Sequence, residues 1–107
     1  MIKAKNIISD KGNPITNQII ITDYKKVKGF LNKKYNASIK ETFQSYDSII
    51  AVKDHKKGKT TLDEYYWNYS RTTSKYRNIF LNETTEETKR KIKEGIYKLA
   101  NLNKYKE

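Results

Sequence analysis

The densest run of chemically able side chains is Tyr65-Tyr66-Trp67-Asn68-Tyr69-Ser70-Arg71-Thr72-Thr73-Ser74-Lys75-Tyr76-Arg77-Asn78. Aromatic rings interleaved with Arg, Lys, Asn and hydroxyls are the mixture that stacks bases and holds phosphates. Arg forks onto phosphate oxygens, and hydroxyls beside the free N–H groups of a helix start can hold an anion. Tyr69, Arg71, Lys75, Arg77 and Asn78 are therefore the candidate binding residues. The competing reading makes Trp67, Tyr69, Tyr76 and Phe80 simply the core. It bears less on Arg71, Lys75 and Arg77, which helical geometry places off the Tyr76/Phe80 face and so in solvent. The same Tyr, Trp and Arg mixture also makes protein–protein hot spots. A second basic feature is the turn His55-Lys56-Lys57-Gly58-Lys59. Such a tip can track a phosphate backbone, which adds Lys56, Lys57 and Lys59 to the candidates; the alternative is a solvated loop.

Catalytic groupings are hard to assemble. Asp63 and Glu64 are adjacent and would point to opposite faces of a strand, which is no general acid/base pair. Asp47, Asp54 and Asp63 could gather around a divalent metal, but nothing in their spacing requires it. The single His and the lack of Cys leave no thiolate site and no triad. No Walker loop, dinucleotide turn or nucleophile elbow is present. The expectation is a non-enzymatic protein with no catalytic residue, no metal and no cofactor.

These residues need a scaffold. Ile2-Lys3-Ala4-Lys5-Asn6-Ile7-Ile8 opens with period-2 alternation and predicts a strand. The turn cluster Ser9-Asp10-Lys11-Gly12-Asn13-Pro14 then leads into a second strand, Asn17-Gln18-Ile19-Ile20-Ile21-Thr22, forming a hairpin. Its triple Ile suggests cover on both faces. Over residues 24–35, Tyr24, Val27, Phe30, Leu31 and Tyr35 fall on a helical stripe behind Asp23 as N-cap. That predicts a basic helix with Lys25, Lys26 and Lys33 off the stripe. Residues 39–46, 48–53 and 60–66 read as strands, the last two forming a hairpin about Gly58. Thr72 or Thr73 caps a short helix ending at Leu81, with Thr72, Thr73, Tyr76, Ile79 and Phe80 inward. Thr84 and Glu87 have the spacing of a capping box, and Gly95 suits the position after the helix end. Residues 96–100 return as a strand, and residues 103–107 are expected to fray.

The sum is one small α+β domain over residues 1–107. It has a mostly antiparallel sheet of about five strands with two or three helices on one face. The chain length fits one domain and not two: 107 residues. Leu, Ile, Val and Phe number only 23, so nine Tyr and one Trp must supply much of the buried area. No apolar run is long enough to span a membrane. Lys and Arg total 23 against 12 Asp and Glu, a net charge of +11. That balance points first to a phosphate-bearing partner. A+T-rich coding, which raises Lys, Asn, Ile and Tyr together, is the alternative source of the charge.

Phe43-Gln44-Ser45-Tyr46-Asp47-Ser48-Ile49-Ile50-Ala51 and the run from Trp67 to Leu81, with Asn17-Gln18-x-Ile20 and Gly95-x-Tyr97-x-Leu99, carry a resemblance. The chain resembles a family of small uncharacterised proteins of phages, prophages and related mobile elements of low-GC Gram-positive bacteria. The Lys-rich stretch 24–40 is longer than that pattern. No residue role comes with the resemblance; what it implies is context. Short phage accessory proteins often inhibit host defence by binding, anti-CRISPR proteins being the main case. The expected function is thus a binding inhibitor of a nucleic-acid-guided host defence complex, acting in the bacterial cytoplasm. Its partner would be the ribonucleoprotein, its guide RNA or its bound DNA, with no membrane involved. The alternatives are a general DNA- or RNA-binding accessory protein, and a structural or assembly protein with incidental charge.

Overall fold

The computed structural model describes residues 1–104; the expected fraying of residues 105–107 lies outside them. Strands β1 (Ile2–Ile8), β2 (Pro14–Lys28), β3 (Lys34–Ser45), β4 (Ser48–Asp54) and β5 (Lys59–Asp63) run in chain order. Helices α1 (Arg71–Leu81) and α2 (Thr85–Lys93) follow, then β6 (Tyr97–Ala100). The strands form one sheet whose spatial order is the chain order. Each of the first four pairings is antiparallel, and β6 adds parallel to β5. A parallel neighbour needs a long crossover, which the two helices supply. The sheet has six strands rather than about five; the strand expected over residues 96–100 is among them and pairs with β5 over residues 97–100.

The largest correction concerns residues 24–35, which form no α-helix. Tyr24 to Lys28 continue β2, a tight turn closed by the Lys33 N–H on the Phe30 carbonyl follows with positive φ at Leu31 and Asn32, and β3 begins at Lys34. Val27 lies opposite Tyr35 and Lys28 opposite Lys34. The apolar spacing that imitates a helix is two strands folded back on each other, so pairing between strands overrides the local pattern. Gly29 fits the hairpin: a Cβ there would stand 2.7 Å from the Tyr35 ring. Phe30 and Leu31, expected inside, are 87% and 74% exposed.

Strand parity sets the faces. Phe43 lies opposite Ile20 and Ala51, and Ala51 opposite Leu62. All but half-buried Ile20 are fully buried, and with Ile7, Ile50, Phe80 and Leu81 they make the core. The Phe43 and Phe80 rings stand 5.8 Å apart, joining β3 to α1. Tyr97, on the same side by register, reaches the region before α2 through Glu83. Both helices thus sit on one face, over β3 to β6. The same face of β1 and β2 carries no helix. Neither helix is long and apolar enough to cross a membrane.

Candidate nucleic-acid interface

The loop before α1 is built on Asp63. Its carboxylate accepts from the backbone N–H of Tyr65 (3.0 Å), Tyr66 (2.8 Å) and Leu102 (2.8 Å). The strand expected to reach residue 66 therefore ends at Asp63, where this carboxylate turns the chain. The tyrosines after it stack on one another, with ring centroids 4.7 Å apart for Tyr65 and Tyr66 and 5.3 Å for Tyr66 and Tyr69. Ser70, rather than Thr72 or Thr73, caps α1 by accepting from the Thr73 N–H at 3.1 Å. An open cavity of about 390 Å³ lies there, lined by Ser45, Ser48, Tyr66, Tyr69, Ser70 and Thr73 among others. Tyr69, Arg71 and Lys75 are exposed around this end of the helix, Lys75 lying 5.4 Å from the Tyr76 ring.

Arg77 is not exposed. It is fully buried, at 0% relative exposure. Its Nη1 donates to the Trp67 carbonyl (2.5 Å) and Asn68 Oδ1 (3.1 Å); its Nη2 donates to Asn78 Oδ1 and Thr85 Oγ1, both 2.9 Å. The guanidinium also lies 5.2 Å from the Trp67 ring, a cation–π contact. Desolvation by burial lowers its pKa, and the negative charge of Glu83 partly offsets this. Asn78 is half-buried and donates to Thr85 Oγ1 at 3.2 Å. Arg77 and Asn78 thus tie the Trp67 loop, α1 and the start of α2 together, and both leave the binding set. The inward face of α1 is Thr73, Arg77, Phe80 and Leu81, not one containing Thr72 and Ile79. The i, i+4, i+7, i+8 spacing of those four residues was a visible signal, hidden by the charge of Arg77.

Lys56, Lys57 and Lys59 are exposed at the β4–β5 turn. Asp54 holds that turn by accepting from the N–H groups of Lys56 and Lys57 at 3.0 and 3.1 Å. Thr73 at the start of α1 meets Ser45, while near its end the Phe80 carbonyl accepts from Lys53 Nζ. Helix α1 therefore runs along β4, with Arg71 at one end and the Lys56–Lys57–Lys59 turn beyond the other. An 11-residue helix is about 16 Å long, so the two expected groups make separate patches. The aspartates weighed as metal ligands organise turns at Asp54 and Asp63.

Three further features are not foreshadowed by the sequence pattern. Glu83, with a nearly buried side chain, accepts from Lys91 Nζ (2.7 Å), Tyr97 Oη (2.6 Å) and Thr88 Oγ1 (2.5 Å). Desolvation would raise its pKa, but these hydrogen bonds and the Lys91 charge bring it below the ordinary carboxylate value. Asn103, expected to fray, is buried; its amide donates to the Ile49 carbonyl at 2.9 Å and accepts from the Ile49 N–H at 2.7 Å. The third is the projecting half of the β2–β3 hairpin. Pairing of β1 with β2 stops at Asp23, and pairing of β4 with β3 stops at Lys40. Met1 still bonds the Tyr24 backbone, and beyond it residues 25–37 continue alone as a two-stranded arm holding Lys25, Lys26, Lys28, Lys33 and Lys34 and no acidic residue.

No curated protein and no solved structure matches this chain. A profile of a family of unknown function (DUF8033) matches residues 2–95, which take in the arm, both helices and five of the six strands. The chain belongs to that family.

Proposed function

We propose that this protein is a non-enzymatic binding protein whose partner carries nucleic acid. The placement of its cations supports this reading. Among the described residues, the ion pairs of Lys and Arg side chains engage Lys89, Arg90 and Lys91, all on α2, while the N-terminal amine meets Asp23 and His55 meets Glu41. The lysines of the arm and of the β4–β5 turn, with Arg71 and Lys75, stand in solvent and enter none of these pairs. Uncompensated cations at that density attract a polyanion through release of its counterions. In the mobile-element setting that the sequence resemblance implies, the partner is a host defence ribonucleoprotein in the bacterial cytoplasm, held through guide RNA or bound DNA. General DNA or RNA binding is the second reading, and it draws on the same cations.

A pull-down from host lysate, with and without nuclease, separates them. A protein partner retained after nuclease treatment supports the inhibitor. Association lost on nuclease treatment supports the general binder. Absence of both, together with no binding of purified DNA or RNA, leaves a structural or assembly role.

A further inference from the structure

We propose that the β2–β3 arm is a duplex-gripping ribbon, its lysines set against phosphates of double-stranded nucleic acid and Phe30 and Leu31 wedged at its tip into the minor groove. This rests on the nucleic-acid reading above and names the surface and the form of ligand.

Four observations carry it. First, the arm has a cationic face. Lys26 pairs with Asn36 and Lys28 with Lys34, and alternation puts all four side chains on one side. Like charges directly opposite destabilise a strand pair, and no carboxylate bonds these lysines among the described residues. A phosphate track would neutralise them.

Second, that face continues onto the body. Tyr24, two residues before Lys26, lies with its ring 5.9 Å from Lys3 Nζ. Both line an open groove of about 400 Å³ with Lys5, Ile20 and Ile79, on the stretch of sheet that the helices leave bare. Ile79 also lines the next hollow, beside Lys75. The cations of sheet and helix therefore border adjoining hollows that share Ile79, and the lysines of the arm extend the face of Tyr24 outward from them. Glu41 lies in the groove, but His55 Nε2 meets its carboxylate at 2.7 Å.

Third, the tip is apolar. Leu31 (φ 58°) and Asn32 (φ 61°) are the two central residues of the hairpin turn closed by the Lys33 N–H on the Phe30 carbonyl at 3.3 Å. That turn holds Phe30 and Leu31 out in solvent at the end of the arm, 87% and 74% exposed.

Fourth, the dimensions suit a groove. Four rungs beyond Tyr24 project about 13 Å, and strand ribbons are known to enter either groove of a duplex. Apolar wedges at such positions part base steps and bend the duplex.

The test is fluorescence anisotropy with a 20-base-pair duplex and, separately, a single strand of the same sequence. The variants are K26E/K28E/K34E, the matched K56E/K57E/K59E, and F30S/L31N, which keeps every charge. The arm charge triple is expected to weaken duplex binding several hundredfold near 0.1 M salt and to lower the salt slope by about 3. The turn triple should cost less than tenfold. The tip variant should cost about tenfold at an unchanged slope. Circular dichroism confirms folding, and K26Q/K28Q/K34Q replaces the Glu triple should that variant unfold.

Equal losses from the arm and turn triples overturn the proposal in favour of diffuse attraction. Single-strand binding tighter than duplex binding overturns it too. A tip variant that loses binding to phosphatidylglycerol vesicles but not to duplex identifies a membrane surface instead. If the wild-type protein binds nucleic acid and the arm variants change nothing, the arm assignment fails and the general reading survives. If the wild-type protein binds no nucleic acid at all, both fail.

Discussion

Arg77 and the arm lysines are cations of the same chain put to opposite uses. The guanidinium lies inside, where two carbonyl oxygens from the Trp67 loop, the Asn78 amide and the Thr85 hydroxyl take up four donor positions. The arm lysines lie outside, with Lys28 facing Lys34 across the ribbon. A planar fork with several donors can bring three chain segments to one point, which a compact ammonium on a flexible stem cannot. A flexible ammonium in water suits an irregular line of phosphates. Position in the fold, more than charge, separates a cation that holds the protein together from one that reaches for a partner.

Removing Arg77 should have the largest effect. Arg77→Leu removes four hydrogen bonds from a buried guanidinium and should destabilise the domain by about 3–5 kcal/mol, read by chemical denaturation. Arg77→Lys should recover little, because the fork is lost. A loss under 1 kcal/mol from Arg77→Leu would break the contrast and return this residue to the surface.

Glu83 provides an intermediate effect with a defined pH signature. Its carboxyl pKa is lowered in the fold, so the stability it contributes is present above the unfolded value of about 4.3 and is lost as pH falls through the folded value. Glu83→Gln should cost about 1–3 kcal/mol at pH 7 and flatten the acid limb of a stability–pH curve. An unchanged limb in the variant would show that other carboxylates govern acid unfolding.

The smallest effect lies in the arm, and its sign is reversed. Lys28→Thr removes the like-charge opposition to Lys34 and should stabilise the protein by a few tenths of a kcal/mol at low salt, while weakening duplex binding. Thermal melts at low and high salt check this, because the gain should vanish as screening rises.

What could be read in the sequence, and what could not, divides along similar lines. Thr84 and Glu87 form the expected capping box, and Gly95 follows the helix end with φ 76°. The turns at Gly12 and Gly58 also join the strands expected to flank them. Each of these signals acts between residues a few positions apart. In the arm, Val27 and Tyr35 also sit at helical spacing, and only their pairing across the ribbon tells the two cases apart. Burial of Arg77 depends on acceptors supplied by residues 67, 68 and 85, and nothing local announces that convergence. Of the eight expected binding residues, Tyr69, Arg71, Lys75, Lys56, Lys57 and Lys59 are exposed, in two separated patches. The arm shows in the sequence as a lysine run whose apolar spacing fits a helix equally well.

The parallel seating of β6 has a consequence for the growing chain. Strands β1 to β5 pair only with sequence neighbours, so the meander can assemble as it leaves the ribosome. The open edge of β5 and the Ile49 backbone groups held by Asn103 wait for partners from far downstream. Roughly 40 residues separate Asp63 from Asn103, about 2–8 s of synthesis at bacterial and eukaryotic rates. For that interval the nascent sheet presents an unpaired strand edge, the kind of surface through which chains associate. The capped helix α2 leads directly into β6, whose pairing covers the edge of β5.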